Sequence, residues 1–125
     1  MLLITKAIDR ELRANHIANH YPMDHRLAGS PKEITTDHKP PLKLFTTWGA
    51  CVWLISERDP DNPDILFGLC DLGMQSPEMG TVSLWELSEV KGLAGLKIER
   101  DRWFEPTMTL TEYADAARAA GRISA

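Results

Sequence analysis

The apolar and polar positions of residues 43–72 predict an antiparallel hairpin. Its expected parts are a short strand at 43–47, a strand at 50–57, a turn at 58–64 with the sequence RDPDNPD, and a second strand at 65–72. We pair Glu57 with Ile65, which leaves both faces of the hairpin apolar. Strands that are apolar on both faces are expected to be covered on both sides of the sheet.

Capping residues and apolar stripes predict three helices. They run from Thr5 to about Asn19, from Leu84 to about Val90, and from Leu110 to Ala120. Ser83 and Thr109 each open an S/T-x-x-E capping box, and Gly121 is expected to end the last helix. With a further strand at 96–104, we expect one α+β domain over residues 1–125. Its small, mainly antiparallel sheet carries N-terminal, middle and C-terminal helices.

Residues 21–41 differ in composition from the rest of the chain. They contain four prolines, a Gly-Ser pair and few apolar residues, which predicts a long loop. Loops of this length are uncommon in compact domains and are either functional or mobile. We expect a flexible loop or a strap over the core.

Composition narrows the function classes. A net charge of -4 lacks the basic signature of nucleic-acid binders, so a nucleic-acid partner is not expected. The longest apolar run is too short to span a membrane, and no secretory signal is recognised. Cys51 and Cys70 lie in apolar runs and are expected to be buried reduced thiols. These features predict a cytoplasmic protein.

His16 and His20 have the i, i+4 spacing that places two imidazoles on one helix face. The stretch HIANH lacks the glutamate that follows the first histidine in the zinc-protease motif. Asp24 or His25 could add a third ligand, but a polar helix face explains the pattern equally well. No metal or cofactor is therefore assigned.

Six carboxylates fall at predicted strand ends and turns. They are Glu57, Asp71, Glu78, Glu86, Glu99 and Asp101. If Asp71, Glu78, Glu99 and Asp101 converged, they could support metal-assisted hydrolysis. Neighbouring arginines make ordinary ion pairs equally easy, so the four are candidates only.

Four tryptophans are many for a chain of 125 residues. Trp53 is expected in the core. Trp85 and Trp103 have charged neighbours, and exposed tryptophans are frequent anchors of protein interfaces. We take both, with Glu78, as candidate binding residues; core packing is the alternative for each tryptophan.

Several motifs resemble those of the bacterial family named domain of unknown function 2958. They are F-G-L-x-D-L-G at 67–73, P-E-x-G-x-V-S-L-x-E-L at 77–87 and E-R-D-x-x-F at 99–104. The resemblance runs from Pro41 to Ile123 and includes the opening LLITK. It implies a setting in plasmids, phages and integrative elements, near anti-restriction modules. Some members carry a label of single-stranded-DNA endonuclease, and no site residue carries over from the family.

These observations favour a non-enzymatic protein-interaction module of mobile-element type, acting in counter-defence against restriction. The alternative is a metal-dependent hydrolase or nuclease that uses the clustered carboxylates. A third hypothesis is a small-molecule-binding domain, which requires a pocket between sheet and helix.

Overall fold

The computed structural model describes residues 2–20 and 37–125. Most of the loop predicted at 21–41 lies outside these residues, and its last part, 37–41, contains neither helix nor strand. The elements are α1 (Lys6–His20), β1 (Leu42–Phe45), β2 (Val52–Arg58), β3 (Ile65–Asp71), β4 (Glu78–Ser83), α2 (Leu84–Glu89), a 3-10 turn (Leu93–Gly95), β5 (Glu99–Arg100) and α3 (Leu110–Ala120). Among the described residues, no helix combines the length and the apolar character needed to cross a membrane.

The five strands form one antiparallel sheet in the order β4-β3-β2-β1-β5. The predicted α+β class is confirmed, with helices in the expected three regions. The sheet is covered on both faces, as the apolar hairpin predicted. Leu12 of α1 and Leu87 of α2 belong to the core of one face, while Tyr113 of α3 belongs to the core of the other.

The predicted register of the hairpin is wrong. Glu57 pairs with Phe67 instead of Ile65, and Val52 pairs with Asp71. The register shifts by one residue between Ile55 and Glu57, as it does at a β-bulge. Turn composition could not reveal this shift, because it depends on contacts made by another part of the chain.

Two strand predictions also differ from the structure. No strand is predicted between 72 and 96, but residues 78–83 form the edge strand β4, whose exposed and half-buried side chains give no apolar alternation. The strand expected at 96–104 shortens to the two residues of β5, which pair with β1. Trp103 is 90% exposed and therefore adds no buried position to extend it.

Ser83 and Thr109 cap their helices as predicted, but the structure gives a complete capping box at Thr109 and only the serine half of the box at Ser83. The Ser83 hydroxyl accepts a hydrogen bond from the Glu86 N–H at 3.2 Å. Thr109 and Glu112 form a complete capping box at the start of α3. Gly121 ends α3 with a left-handed backbone, a conformation that glycine adopts without steric penalty.

Candidate metal centre

The last turns of α1 present two pairs of polar residues to the sheet. Asn15 and Asn19 form one i, i+4 pair, and His16 and His20 form the other. Residues four apart in a helix lie on the same face. Leu12, one turn earlier, is fully buried, so this face continues from the core of the protein.

The partner of this face is the irregular part of β2. Ser56 has no pairing partner on β3, because the register shifts around it. Its main-chain carbonyl instead accepts a hydrogen bond from the Asn15 side-chain amide at 2.9 Å. The bulge and the asparagine together fix the backbone immediately before Glu57.

Glu57 and the two histidines form a compact cluster. Glu57 Oε1 lies 3.4 Å from His16 Nδ1 and 3.1 Å from His20 Nε2. The two imidazole rings stack with centroids 4.1 Å apart. One ligand atom from each of the three residues lies within 4.8 Å of the other two, and within the described ranges no other group of three His, Cys, Asp or Glu residues meets this criterion.

The two oxygens of Glu57 have different surroundings. The Asn19 side-chain amide donates to Oε2 at 3.0 Å, whereas Oε1 faces both imidazoles. Glu57 is only 6% exposed, and a buried carboxylate is costly unless it is paired and hydrogen-bonded. Within residues 2–20 and 37–125, its charged or ionisable partners are His16 and His20.

The second ring nitrogen of His16 faces another carboxylate. Nε2 lies 3.9 Å from Asp59 Oδ1. Asp59 also accepts the N–H groups of Asp61 and Asn62, at 2.9 and 3.2 Å. The Asp61 N–H is the main reason that the pKa of Asp59 lies below its ordinary value, so a negative charge is held beside His16.

A cavity of about 320 Å³ adjoins the cluster between the end of α1 and the start of α3. Its walls include His20 and Glu57 on one side and Asp37 and His38 on another. Burial raises the pKa of Asp37, but hydrogen bonds from the Thr109 side chain and from Thr111 outweigh burial, and the pKa lies below its ordinary value.

His38 is fixed at this cavity by its backbone. Its carbonyl accepts the Leu110 N–H at 2.9 Å. Its Nε2 is shielded from solvent and, within the described part of the chain, is the one buried side-chain polar atom with no hydrogen-bond partner. This histidine therefore lines the cavity without belonging to the three-residue cluster.

The four carboxylates predicted as a catalytic group are not brought together. Glu78 lies on β4 and Glu99 on β5, at opposite edges of the sheet and about 19 Å apart by strand spacing. Asp101 lies 3.4 Å from Lys43 Nζ. Asp71 is buried and accepts the N–H groups of Gly73 and Ile123, each at 2.9 Å. Asp71 and Asp101 thus have local partners, and the four carboxylates do not form one group.

The candidate binding residues are exposed. Trp85 is 65% and Trp103 is 90% exposed, so core packing, the alternative for each, is wrong. Trp53 is buried as predicted. Glu78 is exposed at the start of β4, and Trp103 follows β5 at the opposite edge of the sheet.

Glu57 is the functional candidate that the sequence did not single out. It was one of six carboxylates, and the third ligand was sought at Asp24 or His25, which lie outside the described residues. The available signal was the repeat N-H-x-x-N-H at 15–20, directly after buried Leu12. Such a polar face at the end of an apolar stripe needs polar partners across the interface.

The chain belongs to the DUF2958 family. The family profile, described as "Protein of unknown function (DUF2958)", matches residues 3–124. The match includes both histidines of α1, which lie between the opening LLITK and Pro41, outside the stretches that suggested the family. No curated protein and no solved structure matches the chain.

Proposed function

We propose that the protein binds one divalent transition-metal ion through His16, His20 and Glu57 and acts as a metal-dependent hydrolase. The observation that carries this proposal is the convergence of His16 Nδ1 and His20 Nε2 on Glu57 Oε1, at 3.4 and 3.1 Å. Two histidines and one glutamate are the protein ligands of a known class of catalytic zinc sites.

The separations fit the size of the ion. Zinc bonds of about 2.0–2.2 Å in a tetrahedral arrangement place ligand atoms about 3.3 Å apart. Both histidine–glutamate separations are already close to that value. The pair of histidines lies in the last turns of α1, where the helix dipole favours a cation.

The surrounding contacts match those of metal ligands. A metal-bound histidine usually directs its other ring nitrogen toward a carboxylate or a carbonyl, and the ligating carboxylate is itself hydrogen-bonded. Asp59 faces Nε2 of His16, and Asn19 holds Oε2 of Glu57. Oε1 of Glu57 and Nδ1 of His16 face each other at 3.4 Å, which is the side on which an ion would be held.

Three protein ligands leave a coordination position for water, which distinguishes a catalytic zinc site from a closed structural one. An ion held by His16, His20 and Glu57 would supply an activated water for hydrolysis. The cavity lined by His20 and Glu57 offers room for a substrate beside these residues. Hydrolysis then adds the hydroxyl of water to the attacked atom and its hydrogen to the leaving group.

The first experiment is a metal titration of the full-length protein after chelator treatment. We expect one Zn²⁺ or Co²⁺ per chain by elemental analysis, and a Co²⁺ absorption spectrum typical of four-coordination. His16→Ala, His20→Ala and Glu57→Gln should each weaken binding at least tenfold. His38→Ala is the matched control, because this histidine lines the cavity but lies outside the cluster.

Hydrolysis is tested with the zinc-loaded protein on 4-nitrophenyl butyrate, with metal-depleted wild type alongside. Wild type without bound metal after titration, or His16→Ala that binds metal as tightly as wild type, would overturn the metal site. Metal binding with no metal-dependent hydrolysis would leave a metal-binding protein and remove the enzymatic part.

We propose a protein-interaction module as a second function, supported by the surface around Trp85. The main-chain N–H of Trp85 donates a hydrogen bond to Asp64 Oδ1 at 2.8 Å. This bond holds the backbone that carries the exposed indole. A groove of about 550 Å³ beside it is lined by the apolar side chains of Leu2, Leu3, Ile4 and Leu84. The family resemblance favours a mobile-element setting and a partner from host defence.

Affinity capture from the native host distinguishes the contribution of Trp85 to partner binding from that of Trp103. A stoichiometric partner that is lost with Trp85→Ala but kept with Trp103→Ala would support the module and locate its surface. Equal capture by wild type and Trp85→Ala would contradict it. Trp85→Ala is a usable probe, since loss of an exposed side chain changes stability by only about 0.5 kcal/mol.

A further inference from the structure

We infer that the cavity beside the metal centre takes a neutral acyl compound with an apolar side group, such as the amide or ester of a hydrophobic acid, in preference to a phosphate ester. This inference rests on the proposed function, because the metal at His16, His20 and Glu57 would hold the acyl group.

The apolar side chains of the cavity favour a ligand with an apolar side group. Phe67, Met79 and Leu110 line it together with His20 and Glu57. Phe67 also lines a second cavity of about 200 Å³ with His16, His20 and Glu57. A ligand bound to the metal would therefore place its neighbouring carbon atoms against apolar surface. Burial of an apolar group there favours binding.

The charged side chains of the cavity favour a neutral ligand over an anion. Glu57 and Asp37 are the carboxylates on its walls, and among the described residues lining it there is no lysine or arginine. Two carboxylates balance the double charge of one divalent ion. A phosphate ester would therefore bring its negative charge to described walls that carry two carboxylates and no lysine or arginine, whereas a neutral acyl compound adds no charge.

The start of α3 does not change this balance. The N–H groups of Leu110 and Thr111 are taken by His38 O and Asp37 Oδ1. The N–H of Glu112 is taken by Thr109 Oγ1. The helix end that lines the cavity thus has its first donors satisfied within the protein and does not offer them to an anion.

The test uses the Co²⁺-loaded full-length protein and three probes. These are phenylacetohydroxamic acid, acetohydroxamic acid and phenyl phosphate. The affinity of each is measured from the change in the Co²⁺ absorption spectrum as the probe is added. We expect the phenyl hydroxamate to bind at least tenfold more tightly than acetohydroxamate. Phenyl phosphate is expected to bind at least tenfold more weakly than the phenyl hydroxamate.

Met79→Gln should reduce the preference for the phenyl group, measured as the ratio of the two hydroxamate affinities, at least threefold. Met74→Gln is the matched control, because Met74 is 73% exposed and does not line the cavity. Equal affinities of the two hydroxamates, or phenyl phosphate binding as tightly as the phenyl hydroxamate, would overturn the inference while the metal site stands. A protein that gives no Co²⁺ spectrum would overturn both.

Discussion

The side-chain amide of Asn15 in α1 donates a hydrogen bond of 2.9 Å to the main-chain carbonyl of Ser56, the β2 residue that has no register partner on β3. The bond connects the helix that carries both histidines to the strand that carries Glu57. It thereby links a local irregularity of the sheet to the geometry of the proposed metal centre.

Asn15→Ala should lower the free energy of unfolding by about 1–3 kcal/mol, because the Ser56 carbonyl is left without its partner. It should also weaken Zn²⁺ binding about tenfold, since the backbone before Glu57 is no longer fixed. Urea unfolding of the metal-depleted protein and Zn²⁺ titration measure the two effects. Arg10→Ala, at an exposed position of the same helix, is the control; equal unfolding midpoints for the two variants would disprove the structural role.

Gly68→Ala should be among the most destabilising substitutions in the sheet. A Cβ at residue 68 would lie 2.0 Å from the Leu54 carbonyl oxygen, and the backbone would have to move. We expect a loss of at least about 3 kcal/mol, the upper end of the usual range for overpacking.

Gly80 provides a matched control for this prediction, because it is the register partner of Gly68 on β4. No atom lies within 4 Å of a Cβ built there. Urea unfolding of the two alanine variants, or their soluble yields if Gly68→Ala does not fold, gives the comparison. Similar stability of both variants would show that the close approach of β2 is not a constraint.

Asp71→Asn should destabilise the protein by about 1–3 kcal/mol without changing Zn²⁺ affinity. The carboxylate accepts from Gly73 and Ile123, and an amide can offer an acceptor to only one of these donors. Chemical unfolding and metal titration test the two parts separately. Glu78→Gln at the exposed start of β4 should alter neither quantity, and a loss of metal binding with Asp71→Asn would restore the predicted carboxylate site.

Asp64 should contribute to the acid sensitivity of the fold. Its hydrogen bonds from the Ser83 hydroxyl, at 2.6 Å, and from the Trp85 N–H hold its pKa below the ordinary value of 3.8. A carboxyl whose pKa is lowered by folding stabilises the protein above 3.8, and this contribution disappears as the pH falls through the folded-state pKa. The urea midpoint of Asp64→Asn should therefore lie below that of wild type at pH 7, and the difference should narrow by pH 3.

The exposed Asp115 gives the comparison for this pH series. Its side chain is 71% exposed, and its ion pair with Arg118 is long at 3.4 Å. Asp115→Asn should match the wild-type midpoint at both pH values. A difference between wild type and Asp64→Asn that stays constant from pH 7 to pH 3 would contradict the assignment.

The helices were predictable because their signals are local. Ser83, Thr109 and Gly121 act within one turn of their own helices, and each performs the predicted role. The edge strand β4 was missed for the opposite reason. Its residues pair with β3 through their backbones and none of its side chains is fully buried, so no apolar alternation indicates the pairing.

The site was only half predictable. The spacing of His16 and His20 follows from helix geometry and is visible in the sequence. Glu57 lies 37 residues from His20 along the chain and directly follows the register shift at Ser56, whose carbonyl accepts a hydrogen bond from Asn15. A sequence read element by element cannot supply a contact that three elements determine together.

Leu12 is the one buried residue of α1, so this helix is attached to the sheet by little apolar surface. Regions with few buried apolar contacts open locally before the whole protein unfolds. The backbone amides of α1 should therefore exchange with deuterium sooner than those of β2 and β3 in the metal-depleted protein. An ion that joins His16 and His20 to Glu57 would close this difference, so amide exchange at one helix reports occupancy of the site.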